Sequence, residues 1–513
     1  MRKISDLSSL RMRSSHSLIS TKVFRVSLAL LVFDDACCVM PLVIRADYSQ
    51  DYLLPPSLED WVPADHPARF IRDLVGSLDL PSLGFADRES EEGHPSYAAD
   101  LLLRVWLYGY MQRIRSSRRL EQACRDQMPL VWLTGNHTPD HNTLWRFFQQ
   151  HRPALKQLFK QVVRVAFDAG LIGMALHAVD GTKVKARSSN RTGWHEQSLK
   201  HLLSRLDASI EAAVKDIESS EHVEDASYRM PAELVDAQHR RALIASTLAA
   251  LAEQERAHYH PLEPEARMQQ AGSERTFGYN AQAVVDDAHG LIVGATVVPD
   301  ENDEHCLVPM LEEVQATVGS TATDTVADKG YATSQAFGEL AEKGFEATVP
   351  VPKTFGGEVE GPYAASQFSY EATHDIMVCP QGQQLPFHQL RKRRSGLPVR
   401  VYRCRCAATC PVRWECSPSK DGRVVSINPH QRAIEKQRAR YQDPTHHASY
   451  QRRKELIERV FAQIKEHEGF RRWTMRGLEK VQAQWSLLMT TYNLRVLFQL
   501  WKARTFVLPA STS

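Results

Sequence analysis

Two short strand-like runs in this chain each lead directly into an aspartate. Residues 176–179 precede Asp180, residues 323–327 precede Asp328, and a glycine follows each aspartate one or two positions later. The Leu, Ala and Val residues of the first run, and the β-branched Thr and Val residues of the second, predict strands that end at the two aspartates. Because open α/β sheets bind ligands at the edge where neighbouring strands end, the pattern predicts an α/β fold with both carboxylates at one edge. Taken alone, either aspartate is explained better as a turn residue.

A third acid, Glu458, lies on a predicted basic helix at 448–468. At about 100° per residue, the apolar side chains of this helix form one stripe. That stripe consists of Ile457, Val460, Phe461 and Ile464. Glu458 falls on its flank together with Lys454 and Lys465, where a helix packed on a sheet would meet solvent or substrate. As an isolated feature, Lys454 and Glu458 are equally well explained as a surface pair four residues apart.

Together the three acids predict a metal site. Three carboxylates brought together from distant segments can hold a pair of Mg²⁺ ions, which support in-line displacement at phosphorus. We therefore predict Asp180, Asp328 and Glu458 as catalytic residues and Mg²⁺ ligands. The lysines nearby are candidates for holding phosphates, because an ammonium is a compact point charge. These lysines are Lys183, Lys454 and Lys465.

The periodicity around the aspartates predicts a mixed sheet. Residues 279–285 and 291–298 are strand-like with turn residues between them, which indicates a β-hairpin. A helix at 306–318, the strand before Asp328, a helix at 334–343 and a further strand follow. Without its insertions, this order predicts an α/β protein with a mixed sheet and flanking helices.

At 513 residues the chain is too long for one compact core, so several domains are expected. The predicted organisation is a disordered extension at 1–47, an N-terminal helical DNA-binding domain at 48–170, a catalytic domain at 171–502 with a helical insertion at 190–272 and a Cys-rich basic insertion at 352–445, and a tail at 503–513. The apolar run at 26–33 is too short to span a bilayer, and no clean cleavage site of a secretory signal follows it. No membrane partner is expected.

Residues 97–170 are helical almost throughout, with Ser and Asp start signals ahead of short helices. Short helices joined by tight turns suit a helix-turn-helix-like DNA-binding unit. The candidate recognition helix at 141–151 would expose Asn142, Thr143 and Arg146 to DNA. Ordinary small helical domains have the same pattern, so a plain packing role is the alternative.

The charge of the chain is informative in its distribution rather than in its sum. The net charge is only +2, which does not by itself indicate a nucleic-acid partner. Basic residues crowd the last third of the chain, including 391–394, 432–440 and 452–459. Such clusters can neutralise phosphates. A solvated charged surface explains any single cluster equally well.

Five of the nine cysteines fall close together within the Cys-rich insertion. They are Cys379, Cys404, Cys406, Cys410 and Cys416. Four thiolates can bind a structural Zn²⁺ ion tetrahedrally, and residues 379–382 resemble a zinc-knuckle turn. No CxxC pair is present, so a cluster of reduced thiols and a redox role stay open as alternatives. The chain has an odd number of cysteines and they are unevenly spaced, which does not indicate a secreted disulfide framework.

The ordered acidic motifs resemble those of bacterial insertion-sequence transposases of the DDE class, which have an RNase H-like catalytic core. The matching segments are Val179-Asp180-Gly181-Thr182-Lys183, Ala327-Asp328-Lys329-Gly330-Tyr331, and the series Tyr450, Arg453, Glu458 and Lys465, which resembles a Tyr-Arg-Glu-Lys signature. Residues 60–66 and 108–121 also resemble the N-terminal region of that family, and the likeness covers about 48–500. One departure concerns the basic residue of the signature. The family has Arg four positions before the glutamate, where this chain has Lys454, with Arg453 one place early.

The resemblance implies binding of double-stranded DNA at transposon terminal repeats, followed by strand cleavage and strand transfer into target DNA. It also implies two Mg²⁺ or Mn²⁺ ions, a homo-oligomer on DNA, and action in the bacterial cytoplasm on the nucleoid. Tyr450 and Arg453 thereby join the phosphate-binding candidates. Two alternatives stay open. One is a catalytically inactive DNA-binding protein derived from a transposase, and the other is an RNase H-like nuclease without strand transfer.

Overall fold

The computed structural model of the protein describes residues 57–87, 96–219, 232–271, 273–352, 361–371, 373–392, 398–406, 408–427 and 430–509. The predicted extension at 1–47 lies outside the described residues, and the predicted tail is described as far as residue 509. Among the described helices, none combines the length and the apolar composition that a membrane crossing requires.

Helices fill the first part of the described chain: α1 (Pro67–Gly76), α2 (Ala99–Met111), α3 (Ser117–Asp126), α4 (Met128–Leu133), α5 (His141–Gln150) and α6 (Arg152–Asp168). The local sequence explains where two of these helices begin. The Asp140 carboxylate accepts a hydrogen bond of 2.7 Å from the backbone N–H of Thr143 and so caps α5. Pro67 opens α1, because its fixed φ suits the first helical position. The structure confirms the helices predicted between residues 97 and 170 and adds α4 to them.

The chain then passes through the elements of the central region: β1 (Leu176–Lys185), β2 (Trp194–His195), α7 (Glu196–Ser219), α8 (Ala232–Glu253), β3 (His258–Tyr259), β4 (Arg267–Ala271), β5 (Glu274–Asp286), β6 (Ile292–Val298), α9 (Leu307–Val318), β7 (Asp324–Ala327), α10 (Ser334–Lys343) and β8 (Ala347–Thr348). The helices α7 and α8 lie in the predicted helical insertion. Within the described residues they share a small core of Leu199, Ile244 and Leu251, apart from the main one.

The central sheet is mixed, as the sequence predicts. Its order is β4-β5-β1-β7-β8, and β6 pairs with β5 as well. β1 runs antiparallel to β5 and parallel to β7, and β7 runs parallel to β8. The predicted hairpin is β5–β6. This α/β arrangement confirms the expected RNase H-like fold class.

The last part of the chain contains the remaining elements: β9 (Ser369–Glu371), β10 (Ile376–Val378), β11 (Gln384–Lys392), β12 (Pro398–Arg403), α11 (Arg413–Cys416), β13 (Val424–Ile427), α12 (Gln431–Gln442), α13 (Pro444–Ala462) and α14 (Leu478–Lys502). The strands β9 to β13 form a second sheet within the described residues. The sequence predicts no strands here. The reason is that β9 and β10 are only three residues long and that this sheet buries few side chains, so no clear alternation marks the strands.

The N-terminal helices and the central sheet share one hydrophobic core. α14 is the common element, because it packs against α2, α6 and β6. The Phe70 ring lies 5.7 Å from that of Phe498, and the Gln484 amide donates to the Tyr110 hydroxyl at 3.1 Å. The buried Glu468 carboxylate pairs with Arg495 from α14 and, at 3.1 Å, with Arg115 from the segment between α2 and α3.

Candidate active site

Asp180 lies in the middle of β1. The parallel register pairs Val179 with Ala327, so Asp180 comes one residue after β1 and β7 cease to pair. The sequence places the end of the strand at Asp180, and this is wrong. The strand continues to Lys185 because its other edge remains paired with β5 as far as Gly278. Asp180 nevertheless lies at the edge where β7 ends, which is where the sequence predicts the site.

Asp328 follows β7 directly and begins a tight turn at residues 328–331, here named the Asp328 turn. Its carboxylate accepts a hydrogen bond of 2.7 Å from the backbone N–H of Gly330. A Cβ at Gly330 would lie 2.9 Å from that carboxylate, so glycine allows the close approach. Tyr331 is buried, and its hydroxyl donates a hydrogen bond to the side-chain oxygen of Gln282 on β5.

The two aspartates influence each other electrostatically. Burial raises the pKa of Asp180, and the negative charge of Asp328 raises it further. The Arg453 guanidinium and the Gly181 N–H group act in the opposite direction on that pKa. The structure therefore brings Asp180 and Asp328 together, as the strand-end argument predicts.

Arg453 is the basic residue that contacts the first aspartate. Its Nη1 atom lies 2.7 Å from Oδ2 of Asp180, and the two side chains are only 16% and 23% exposed. The guanidinium also lies 5.8 Å from the ring centroid of Tyr450. The helix α13 positions both residues, because its buried Ile457 and Val460 pack this face toward the sheet. Tyr450 and Arg453 are thus next to the aspartate pair.

Glu458 stands apart from the two aspartates. Its side chain is 63% exposed, and the nearest cation is the 75% exposed Lys454, with Nζ 3.9 Å from Oε1. This is the i,i+4 surface pair that the sequence offers as the alternative. Across the described residues, no three His, Cys, Asp or Glu side chains are grouped so that they could jointly hold a metal ion. The metal-ligand role of Glu458 stays a prediction.

Lys465 interacts with Asp180, whereas Lys183 contacts a different carboxylate. Lys465 is half-buried on a π-helical turn, Gln463–His467, which follows α13. Burial lowers the pKa of Lys465, while the charge of Asp180 acts in the opposite direction. The Nζ atom of Lys183 lies 3.4 Å from Oδ1 of Asp303, a carboxylate that the sequence does not single out. Asp303 has no apolar periodicity around it that could have indicated its place.

The candidate DNA-reading residues lie on α5. Asn142 and Arg146 are exposed, whereas Thr143 is half-buried, with its N–H and hydroxyl directed at Asp140. Thr143 is therefore used locally as part of the helix cap. Leu144 is buried on the same helix, and its carbonyl accepts a hydrogen bond of 3.1 Å from the indole of Trp106. A DNA-reading role for α5 stays a prediction.

Cys379, Cys404 and Cys416 pack against the core of the small second sheet. The Sγ atoms of Cys404 and Cys406 are 2.9 Å apart, and the backbone N–H of Gln383 donates to Sγ of Cys379 at 3.2 Å. Burial and the neighbouring thiol of Cys404 raise the pKa of Cys406 to about 12. Burial also raises the pKa of Cys416, with contributions from the other thiols of the group. The cysteines, Cys410 included, therefore form one neighbourhood.

The protein therefore has an α/β fold with a mixed RNase H-like sheet, and two aspartates lie close together at the edge of that sheet. Two family models then match the chain. A transposase domain of the DUF772 type matches residues 56–150, and a transposase DDE domain matches residues 378–498. Both matched regions are transposase domains, which supports the resemblance of this chain to the DDE-type insertion-sequence transposases. Asp180 and Asp328 lie between the two matched regions, so their assignment rests on the motifs and the geometry described above.

A solved cryo-EM structure of the piggyBac transposase synaptic complex with hairpin DNA matches 86% of this chain and 77% of that chain, at 9% identity and a TM-score of 0.33. At that score the likeness carries no argument about the site. No curated protein sequence matches the chain.

The residues fit a divalent cation in part. Asp180 and Asp328 carry oxygen ligands of the kind that Mg²⁺ prefers; Asp180 lies on β1, and Asp328 directly follows the neighbouring strand β7. Both oxygens of Asp180 have protein partners, Arg453 at 2.7 Å and the Gly181 N–H at 2.8 Å. Because Glu458 faces solvent, the arrangement supplies two of the three expected carboxylates.

Proposed function

We propose that this protein is a DNA transposase that binds transposon ends and catalyses metal-dependent strand cleavage and strand transfer. The proposal rests on one arrangement. The pairing of β1 with β7 brings Asp180 and Asp328 to the same sheet edge, where Arg453 contacts Asp180. The two transposase-domain matches on either side of these aspartates support it. The proposed partners are terminal-repeat and target DNA and further copies of this chain, acting in the bacterial cytoplasm.

The chain's own residues have distinct roles in this proposal. Asp180 and Asp328, joined by Glu458 once α13 shifts on DNA, would hold Mg²⁺ or Mn²⁺. Bound there, the metal would supply a Lewis acid for the phosphodiester. Arg453 would leave Asp180 and contact a DNA phosphate, which a guanidinium binds well. Lys465 and Lys183 would fix neighbouring phosphates, and Asn142 and Arg146 would contact DNA from α5.

Two observations favour a second candidate function. Glu458 faces solvent and Arg453 occupies an oxygen of Asp180, as would suit a DNA-binding protein that has lost catalysis. A nuclease without strand transfer is the other alternative.

An end-cleavage assay separates these functions. The purified protein is incubated with MgCl₂ or MnCl₂, a labelled duplex carrying the terminal repeat, and supercoiled target plasmid. A transposase gives both cleaved ends and end–plasmid joints, and a nuclease gives cleaved ends alone. The inactive protein shifts the duplex in a gel without cutting it, which would contradict the proposed activity. A duplex with a scrambled terminal repeat is the control.

We also propose that the cysteine neighbourhood binds one structural Zn²⁺ ion. The described thiols are near one another but not grouped as metal ligands, so zinc binding would draw four of them together. Its support is the crowding of Cys404, Cys406, Cys410 and Cys416 near Cys379, whose thiol already accepts an N–H hydrogen bond, as zinc-bound thiolates do. The second sheet has a core of only five buried residues among those described, so a metal would add needed stability.

Metal analysis of protein purified without chelator is expected to find about one zinc ion per chain. Replacing Cys416 with serine is expected to lower that content and the unfolding temperature. The matched control is Cys124→Ser, a buried cysteine on α3 outside the neighbourhood. Zinc far below stoichiometry would contradict the site, and a mass two hydrogens lower would indicate a disulfide instead.

A further inference from the structure

A buried polar network lies against the face of β1 opposite to Asp180. Oδ1 of Asp303, in the loop between β6 and α9, accepts hydrogen bonds from Asn280 at 2.7 Å and Gln282 at 2.6 Å. The same oxygen lies 3.4 Å from Nζ of Lys183. Asn280 and Gln282 are fully buried on β5, so their amides need these partners. Three donors thus converge on a single carboxylate oxygen.

The sheet register explains why these side chains meet. Gly181 lies opposite Gln282, and Lys183 lies opposite Asn280. Residues opposite each other in an antiparallel pair project from the same face, and successive residues project from opposite faces. The network therefore lies on one face of β1, and Asp180, one residue from Gly181, projects from the other.

The network also explains the glycine that follows Asp180. A Cβ at Gly181 would lie 2.7 Å from Oδ1 of Asp303 and 2.8 Å from the side-chain oxygen of Asn280, and it would clash with the Gln282 amide. No side chain fits there without displacing the network. The glycine of the first motif is thus required by packing within the strand rather than by a turn.

The network extends to the second aspartate. Gln282, bound to Asp303 through its amide nitrogen, accepts a hydrogen bond from Tyr331 through its oxygen. Oδ2 of Asp303 lies 3.6 Å from the position of a Cβ on Gly330, and that position is 2.9 Å from Oδ1 of Asp328. Asp303 therefore lies against the Asp328 turn. One carboxylate connects the strand that carries Asp180 to the turn that carries Asp328.

We propose that Asp303 is a positioning residue for the reaction, which rests on the proposed transposase function. Its Oδ1 orders Asn280 and Gln282, and through Gln282 and Tyr331 it fixes the Asp328 turn relative to β1. Its charge also pairs with Lys183, whose Nζ atom lies 3.4 Å from Oδ1. Asp303 acts through these neighbours and does not itself hold the reacting groups.

The test compares Asp303→Ala with Asp303→Asn. Asparagine keeps an oxygen acceptor for the buried amides, whereas alanine removes it. Asp303→Ala is expected to lower kcat for end cleavage by about a hundredfold, the typical cost of misplacing catalytic groups by an ångström, with KM for DNA changed little. Asp303→Asn is expected to recover most of kcat. The matched control is Asp300→Ala, in the same loop, whose carboxylate pairs with Arg267 at 3.1 Å.

Two further measurements test whether Asp303 acts through Gln282 and the Asp328 turn. The double variant Gln282→Leu, Asp303→Ala is expected to have a kcat no lower than that of the slower single variant. The reason is that both substitutions interrupt the same hydrogen-bond connection to the Asp328 turn. Amide hydrogen exchange in the Asp328 turn is expected to quicken in Asp303→Ala and not in Asp303→Asn or Asp300→Ala.

The outcomes separate the two proposals. Full kcat in Asp303→Ala alongside an active wild-type protein overturns the positioning role and leaves the transposase function intact. A wild-type protein that does not cleave terminal DNA overturns the function. In that case the exchange of the Asp328 turn still decides the role of Asp303, and unchanged exchange in Asp303→Ala rejects it.

Discussion

The Asp180→Asn and Asp328→Asn variants are each expected to lose end cleavage and strand transfer while still binding terminal-repeat DNA. Asparagine keeps the shape of each side chain and removes the negative charge that a divalent cation requires. The charge stabilisation supplied by a catalytic metal is several kcal/mol, so the expected loss is about a thousandfold or more in rate. Single-turnover cleavage measures the rate, and a gel-shift titration measures DNA binding.

The chain offers a close control for this prediction. Asp287 pairs with Arg452 of α13 at 3.0 Å, much as Asp180 pairs with the adjacent Arg453 at 2.7 Å. Asp287→Asn therefore removes the same kind of ion pair from the same helix, away from the site. It is expected to cleave DNA at the wild-type rate. Full activity of Asp180→Asn would show that the acid is structural and that the catalytic assignment is wrong.

Arg453→Gln is expected to change metal binding and DNA cleavage in opposite directions. With the guanidinium gone, Oδ2 of Asp180 is free, and a cation in contact with a carboxylate shifts its protonation equilibrium by about one to three pKa units. Mn²⁺ affinity without DNA is therefore expected to rise by about tenfold or more, as measured by calorimetry. End cleavage is expected to fall, because a phosphate contact is lost.

The neighbouring arginine provides the comparison. Arg452→Gln removes a cation of the same helix that contacts Asp287 and not Asp180. It is expected to leave Mn²⁺ affinity unchanged. If Arg453→Gln bound Mn²⁺ no more tightly than the wild-type protein, Arg453 would not compete with the metal for Asp180. The idea that DNA binding moves Arg453 and thereby prepares the metal site would then have to be abandoned.

Much of the central sheet is predictable from local pattern. The helix predicted at 334–343 matches α10, Ser334–Lys343, because Thr333 caps its start and Gly344 follows its end with a positive φ of 69°. The strand before Asp328 and the hairpin β5–β6 are predictable for similar reasons, because short strand-like runs are bounded by turn residues. Parallel pairing of β1 with β7 then brings the two aspartates to one edge.

The partners of the aspartates are harder to predict. Adjacent helical residues differ by about 100° in direction, so the single-position shift between Arg453 and Lys454 decides which cation faces Asp180. The family signature places the basic residue at position 454. In the structure, however, it is Arg453 that contacts Asp180. Asp303 is harder still, because it comes from a loop without periodicity. Its role becomes visible only when β5 brings Asn280 and Gln282 beside β1.

The position of α14 has a consequence for truncated copies of the gene. The helix is made late in synthesis, yet Phe498, Gln484 and Arg495 complete the core around Phe70 and Tyr110 from the first helices. A copy with a stop codon before residue 478 would leave those early helices with an open apolar face. Such a fragment is expected to be degraded by proteases rather than to persist as a DNA-binding repressor. Truncation would then silence the element without leaving an inhibitor of intact copies.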